Sequence, residues 1–355
     1  MRGDERICGF GFGSASGQGS GQGSGRGHPA LRDPWQAAFD LGEGVVMAVL
    51  TRTIGPAYRL AGAAMAIGAG DEVAGAITSG CVEADLVLQA AKLRQTDGVM
   101  RLQYGEGSPY FDLKLPCGGG IEVMLFAVQD RALLAELQAR RHARDSLSLL
   151  VSPQGRLALG PYQPTGPERG AASDGARAFA IGFRPALRHV VFGAGPEAVA
   201  FAALAQAGGA GVVLASHDGA TLAAAQEGGL PCRDLSGLAG LDEIALDART
   251  AVTLFYHDHD VEPEILSRVL PSPAFYIGAQ GSRAAQAERL ARLAEIGIPV
   301  EERQRLRGPI GLIHSTRDPH SLAVSVLAEI TALAAETQAG APTGGAFPAP
   351  QTDEA

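Results

Sequence analysis

Apolar positions in the first half of the chain follow two rhythms. The β-branched run Val45–Thr53 and the apolar run Ile121–Val128 read as buried strands. Ala64–Ile67 and Glu72–Ile77 flank Gly68-Ala69-Gly70-Asp71, a hairpin-like turn. From Cys81 to Gln95 the positions Val82, Leu86, Ala90 and Leu93 recur at intervals of three and four. That spacing predicts a helix, with Ser79 or Gly80 as its N-cap. Trp35–Leu41 and Arg131–Arg144 predict two more helices, so this stretch reads as an α+β unit.

After residue 186 the style changes. Strands at Leu187–Phe192, Gly211–Ala215, Thr250–Tyr256 and Ala274–Ile277 alternate with helices at Pro196–Ala207, Glu262–Leu270, Ser282–Ile296 and His320–Ala335. Such alternation predicts an α/β, doubly wound parallel sheet of the Rossmann type. Residues 146–186 are poorly patterned and are expected to form a bridging segment or linker, with a hairpin around Pro153-Gln154-Gly155. Residues 1–34, glycine-rich from Gly17 to Gly27, and residues 337–355 hold too little apolar surface to offset their ordering entropy, and are expected to be disordered tails. The expected order is therefore tail 1–34, α+β domain 35–145, bridge 146–186, Rossmann-like domain 187–336 and tail 337–355.

Composition removes several function classes. Of 29 basic residues only Lys92 and Lys114 are lysine, and neither sits in a Gly-Lys-Ser/Thr loop, so a Walker-type phosphate site is excluded. The net charge of −9 argues against a nucleic-acid partner, which needs a basic footprint. Cys8, Cys81, Cys117 and Cys232 contain no CxxC pair, which suits a reducing cytoplasm better than a disulfide framework or zinc ribbon. No secretory apolar region follows Asp4-Glu5, and the near-apolar stretch Ala198–Ala215 reads as a buried helix and strand rather than a membrane span. The expected location is the cytoplasm.

Six short segments carry candidate chemistry. Gly193-Ala194-Gly195-Pro196-Glu197-Ala198 is a GxGxxA turn between strand and helix, in which Gly193 permits the turn and Gly195 lets backbone approach a pyrophosphate. The acid usual at the end of the following strand is replaced by Ser216, so a nucleotide site and a nucleotide-free scaffold both stand. Cys81, in Gly75–Glu83, begins a helix where the dipole stabilises a thiolate. Cys117 precedes Gly118-Gly119-Gly120, whose bare amides would form an anion-binding nest. His257-Asp258-His259-Asp260 follows a strand at the ligand-binding edge; alternate residues leaving a strand point apart, which favours cap and turn roles over a metal site. Arg283, in Gly278–Arg283, is suited to a phosphate or carboxylate, and Arg307–Leu312 is a rigid Gly-Pro loop.

In this order the segments resemble the XdhC/CoxI family, accessory proteins in the maturation of molybdenum hydroxylases such as xanthine dehydrogenase. The resemblance covers about Trp35 to Glu336 and rests on Gly75–Glu83, Leu115–Gly119, Gly193–Ala198, His257–His259, Gly278–Arg283 and Gly308–Leu312. It implies a chaperone that transiently binds the molybdenum cofactor (molybdopterin), protects it during sulfuration by a cysteine desulfurase and passes it to the apo-enzyme of a molybdenum hydroxylase. It implies an accessory role rather than an enzyme, with no catalytic or metal-ligating residue assigned. By this likeness Cys81 and Cys117 are the expected cofactor-handling thiols, with Gly80, Glu83, Gly118, Gly119 and Glu122 beside them; Gly193, Gly195, His257, Asp258, His259 and Arg283 complete the expected site. A homodimer is the base-rate expectation. The alternative is an NAD(P)-binding oxidoreductase or a thiol-based sulfurtransferase. The chain departs from the family pattern at Ser79, where a glycine is usual, at Gly55–Gly62 in place of SSPRPAG, and at Ile313-His314-Ser315-Thr316 in place of D-I-G-A.

Overall fold

The structure, a computed structural model, describes residues 28–78, 80, 82–96, 98–106, 108, 115, 118–167, 177–235, 240–256, 261–313 and 316–338. The chain divides between Phe183 and Arg184 into two compact units.

The near-continuous apolar run of the first unit is explained by a strand covered on both faces. In chain order the unit holds α1 (Pro34–Asp40), β1 (Val46–Ile54), β2 (Ala64–Ile67), β3 (Val73–Gly75), α2 (Glu83–Thr96), β4 (Val99–Gly105), β5 (Gly120–Ala127) and α3 (Arg131–His142). Strands β6 (Leu147–Val151), β7 (Leu157–Pro161), β8 (Gly166–Pro167) and β9 (Phe179–Phe183) follow. An antiparallel sheet runs β3-β2-β1-β5-β4, and a second sheet runs β7-β6-β9-β8. Alternate residues of β1 enter different cores: Val46, Ala48 and Leu50 join Leu86, Ala90 and Leu93 of α2, while Met47 and Val49 join α1, α3 and the second sheet.

This corrects the reading of residues 146–186 as a bridge. Leu147, Leu149, Val151, Phe179 and Ile181 are buried in the same core as Trp35 and Leu134, so residues 146–167 and 177–183 are part of the first unit's body. The hairpin expected around Pro153-Gln154-Gly155 joins β6 to β7. Of the tails, Pro29–Leu31 form one short helical turn and α1 begins at Pro34; residues 1–27 and 339–355 lie outside the described residues.

The second unit contains β10 (Arg188–Gly193), α4 (Pro196–Ala207), β11 (Gly211–Ser216), α5 (Gly219–Glu227), β12 (Cys232–Asp234), β13 (Thr250–Phe255) and α6 (Glu262–Val269). It ends with β14 (Tyr276–Ala279), α7 (Arg283–Glu295), α8 (Val300–Arg303), β15 (Leu306–Arg307) and α9 (Pro319–Gln338). All six strands are parallel in the order β12-β11-β10-β13-β14-β15, the doubly wound Rossmann arrangement. Val191 and Phe255 face α4 and α9, whereas Val190, Phe192, Val252 and Leu254 face α6 and α7. Among the described residues no helix is long and apolar enough to cross a membrane.

One buried group makes this sheet acid-sensitive. His189, on β10, is fully buried against the edge of Phe201, its ring nitrogens have no hydrogen-bond partner, and burial lowers its pKa from 6.5 to about 4. Between these values the unfolded chain binds a proton that the folded chain does not, so stability rises with pH across the window and is lost as pH falls from 6.5 towards 4. Denaturant titration of the wild type is expected to lose about 2 kcal/mol between pH 7 and pH 5 through this group. His189→Leu should flatten that part of the profile; an unchanged slope would count against the burial argument.

Candidate functional site

In the second unit, the segments singled out by sequence lie where the parallel strands end. Gly193 ends β10 and Ala194-Gly195 follow it, Gln280–Arg283 follows β14, and Gly308–Leu312 follows β15. This is the carboxyl edge, at which open α/β sheets bind ligands. The 278 and 308 segments touch: a Cβ on Gly278 would lie 2.6 Å from Ile310 Cγ2. Helix α9 holds the latter loop, because Glu329 Oε2 accepts from the Gly311 amide (2.5 Å) and Ser325 Oγ accepts from the Ile313 amide (2.7 Å). Glu329 Oε1 also accepts the Tyr276 hydroxyl proton at 3.1 Å. The Gly-Pro loop is thus clamped by groups that sequence reading had not connected to it.

The buried cation at this edge is Arg289, not Arg283. Arg283 stands exposed at the start of α7, capped by Ser282. Arg289 is 3% exposed and pairs with Glu262, itself 1% exposed, through bonds of 2.8 and 3.1 Å. It also donates to Gln286 Oε1 (2.7 Å) and to the Gln280 carbonyl (2.9 Å), which fixes the exit of β14. A usable signal was present: Gln286, Arg289 and Leu293 occupy one buried helical face, so an arginine in that register requires a partner.

The glycine turn is shaped in part by the protein's own packing and hydrogen bonds. Gly193 is needed for packing, since a Cβ there would lie 2.7 Å from the Phe255 carbonyl and 2.9 Å from Ala198 Cβ. Two of its amides are committed within the protein: Ala194 donates to Phe255 O (3.1 Å) and Gly195 donates to Thr221 Oγ1 (2.8 Å), while Pro196 has no N–H. Thr221 Oγ1 in turn donates to Asp218 at 2.5 Å. Ser216, at the position usual for the ribose-binding acid, is fully buried and accepts from the Asp218 amide. Glu197 adds a carboxylate beside Gly195, at the helix end where an anion would sit. His257, Asp258 and His259 lie outside the described residues.

In the first unit Glu83 organises the loop before α2. Its Oε1 accepts from the Ile77 amide (3.1 Å) and the Thr78 amide (2.5 Å), and its Oε2 from the Thr78 hydroxyl (2.7 Å) and the Gly80 amide (2.9 Å). Burial acts to raise its pKa, but these donors outweigh burial and hold it below its ordinary 4.5. Both carboxylate oxygens are therefore engaged in shaping the turn that leads into Cys81, which itself lies outside the described residues, as does Cys117. Gly80 is in the left-handed region at φ +124 with open space around it.

The second thiol segment is only partly a nest of bare amides. The Gly118 amide donates to Leu115 O at 2.9 Å, and Gly120 belongs to β5. Gly119 serves close backbone packing: a Cβ there would lie 2.7 Å from Ile54 O and inside contact distance of Pro56 O. Glu122 pairs with Arg52 across β1 and β5 at 3.0 Å, on the solvent side. Flanks of both thiol segments, Ile77 and Val82 from one and Leu115 and Ile121 from the other, share one hydrophobic core.

Comparison with known proteins matches residues 38–105 to the family described as "XdhC and CoxI family" and residues 190–330 to the "XdhC Rossmann domain". Over 292 residues the chain is 34% identical to the "Molybdenum cofactor insertion chaperone PaoD" of Escherichia coli (strain K12), covering 82% of this chain and 84% of that one. A crystal structure described as a xanthine dehydrogenase from Bacillus halodurans superposes with a TM-score of 0.68 at 22% identity, covering 87% of this chain and 98% of that chain. At that identity the likeness concerns the fold.

Proposed function

The chain belongs to the XdhC and CoxI family, and from that membership we propose that it binds the molybdenum cofactor as cargo and delivers it to a molybdenum hydroxylase. The observation that carries this reading is the 34% identity to a molybdenum cofactor insertion chaperone, sustained over 82% of the chain. The cargo is a pterin dithiolene holding molybdenum, with a terminal phosphate. Cys81 and Cys117 supply soft ligands for a sulfur-rich metal centre, and the glycine turns beside them admit a bulky ligand. Glu83 and Glu122 act at one remove, the first by shaping the Cys81 turn and the second by pinning β5 to β1. The proposed partners are the apo-enzyme, a cysteine desulfurase that sulfurates the cargo, and a second copy of this chain.

The test is to purify the protein from cells that make molybdopterin and to assay released pterin fluorescence and molybdenum. Both are expected in near-equal amounts per loaded chain; NAD(H) in place of pterin would overturn the reading. Cys117→Ser and Cys81→Ser are each expected to lower retained pterin with the thermal transition preserved. Full retention in both single variants would remove the thiols from the site.

A further inference from the structure

We propose that the cleft between the Arg59 loop and β3 is the seat of the cargo's phosphate-bearing end. This deepens the proposed function and rests on it. The cleft, of about 340 Å³, lies within the first unit and is large enough for a small ligand. Among the described residues Arg32 and Arg59 are its only charged lining residues, no acid lines it, and Trp35 and Phe183 supply aromatic walls.

Three observations point to an anionic ligand. First, the protein as a whole carries a charge of −9, so a purely cationic cleft runs against its average surface. Second, both arginines are exposed, and among the described residues neither guanidinium has a hydrogen-bond or ion-pair partner. That contrasts with Arg52, Arg94, Arg140 and Arg141, which pair with Glu122, Asp71, Asp145 and Asp33. Third, the floor is kept open by small residues: Gly62, Ala63, Ala64, Gly75, Ala76 and Gly182. Gly75 has φ +81, and a Cβ there would lie 3.0 Å from Pro34 Cβ and collide with Ala64 O.

The position of the cleft ties it to both thiol segments. Gly75 and Ala76 line it, and the chain runs directly from them through Ile77 and Thr78, held by Glu83, to Cys81. On the other side, the loop that carries Arg59 begins at Gly55-Pro56, against which Gly119 packs. A forked guanidinium is suited to phosphate, offering paired donors in one plane. The phosphate would thus be gripped by Arg32 and Arg59.

The test compares wild type, Arg32→Ala/Arg59→Ala, Arg59→Lys and the distant control Arg156→Ala, each purified from molybdopterin-producing cells. Retained pterin is expected to fall roughly tenfold for each arginine removed, with Arg59→Lys intermediate, Arg156→Ala at wild-type level and thermal transitions coincident. Inorganic pyrophosphate should release pterin from the wild type. Equal loading of wild type and double variant would overturn the cleft assignment alone; absence of pterin from the wild type would overturn the functional reading and the cleft with it.

Discussion

Arg289→Met is expected to lower the unfolding free energy of the protein by about 3–5 kcal/mol. The substitution leaves the Glu262 carboxylate, 1% exposed, without its cation, and it strips the Gln280 carbonyl and Gln286 of their donor. Desolvation makes an uncompensated buried carboxylate far more costly than an empty hydrogen-bond site at the surface. The same argument predicts that Glu262→Leu combined with Arg289→Met recovers most of the loss, because a buried pair exchanged for apolar groups of similar volume is often near neutral. Denaturant unfolding of the two single variants and the double variant measures this directly. Additive losses in the double variant would mean that the two side chains are not energetically coupled.

Glu83→Ala is expected to reduce retained pterin tenfold or more, with a stability loss of about 1–3 kcal/mol. The carboxylate satisfies the amides of Ile77, Thr78 and Gly80 at once. Without it the turn into Cys81 loses its fixed shape while α2 retains its packing through Leu86, Ala90 and Leu93. The lowered pKa sets the pH response: the hold is complete at neutral pH and is lost as pH falls below 4.5 through the folded-state value. Pterin retention and hydrogen exchange at residues 77–80 are the paired readouts. Loose exchange with full retention would show that the turn does not position the thiol.

What could be read from sequence divides along physical lines. β1 and β13 were legible because strands covered on both faces keep an unbroken apolar run, and α4 was legible because Gly195 and Pro196 punctuate its start. β4 was missed because Arg101 and Gln103 interrupt it with outward-facing polar residues, leaving only Leu102 and Tyr104 buried. The sheet formed by β6 to β9 reads as a bridge in the sequence because its pairing is non-local: Leu149 meets Ile181 across a long connection that carries no apolar rhythm of its own. α5 escaped because an alanine-rich helix with Thr221 and Ala225 as its buried residues has no apolar face to detect.

The candidate site was legible as a set of glycine turns and less so as chemistry. The turns at 193 and 278 read as strand exits and the 308 turn only as a rigid loop, and all three lie at strand ends. The helix side chains that hold them, Thr221, Arg289, Ser325 and Glu329, are not legible, because reach across 9 to 26 residues depends on how each helix docks. Glu83 and Glu122, expected beside the cofactor, engage protein donors, since a carboxylate next to a free amide or guanidinium satisfies it.

The central claim is delivery of cargo, and the direct measurement is transfer. Protein purified with bound cofactor is mixed with the cofactor-free form of a molybdenum hydroxylase, and hydroxylase activity is followed as pterin leaves the chaperone. The account predicts activity that rises with, and is limited by, the pterin supplied on this protein, and that is lost with Cys117→Ser. Loaded protein that releases its pterin without activating any hydroxylase, or activation that proceeds equally well from free cofactor at the same concentration, would contradict it.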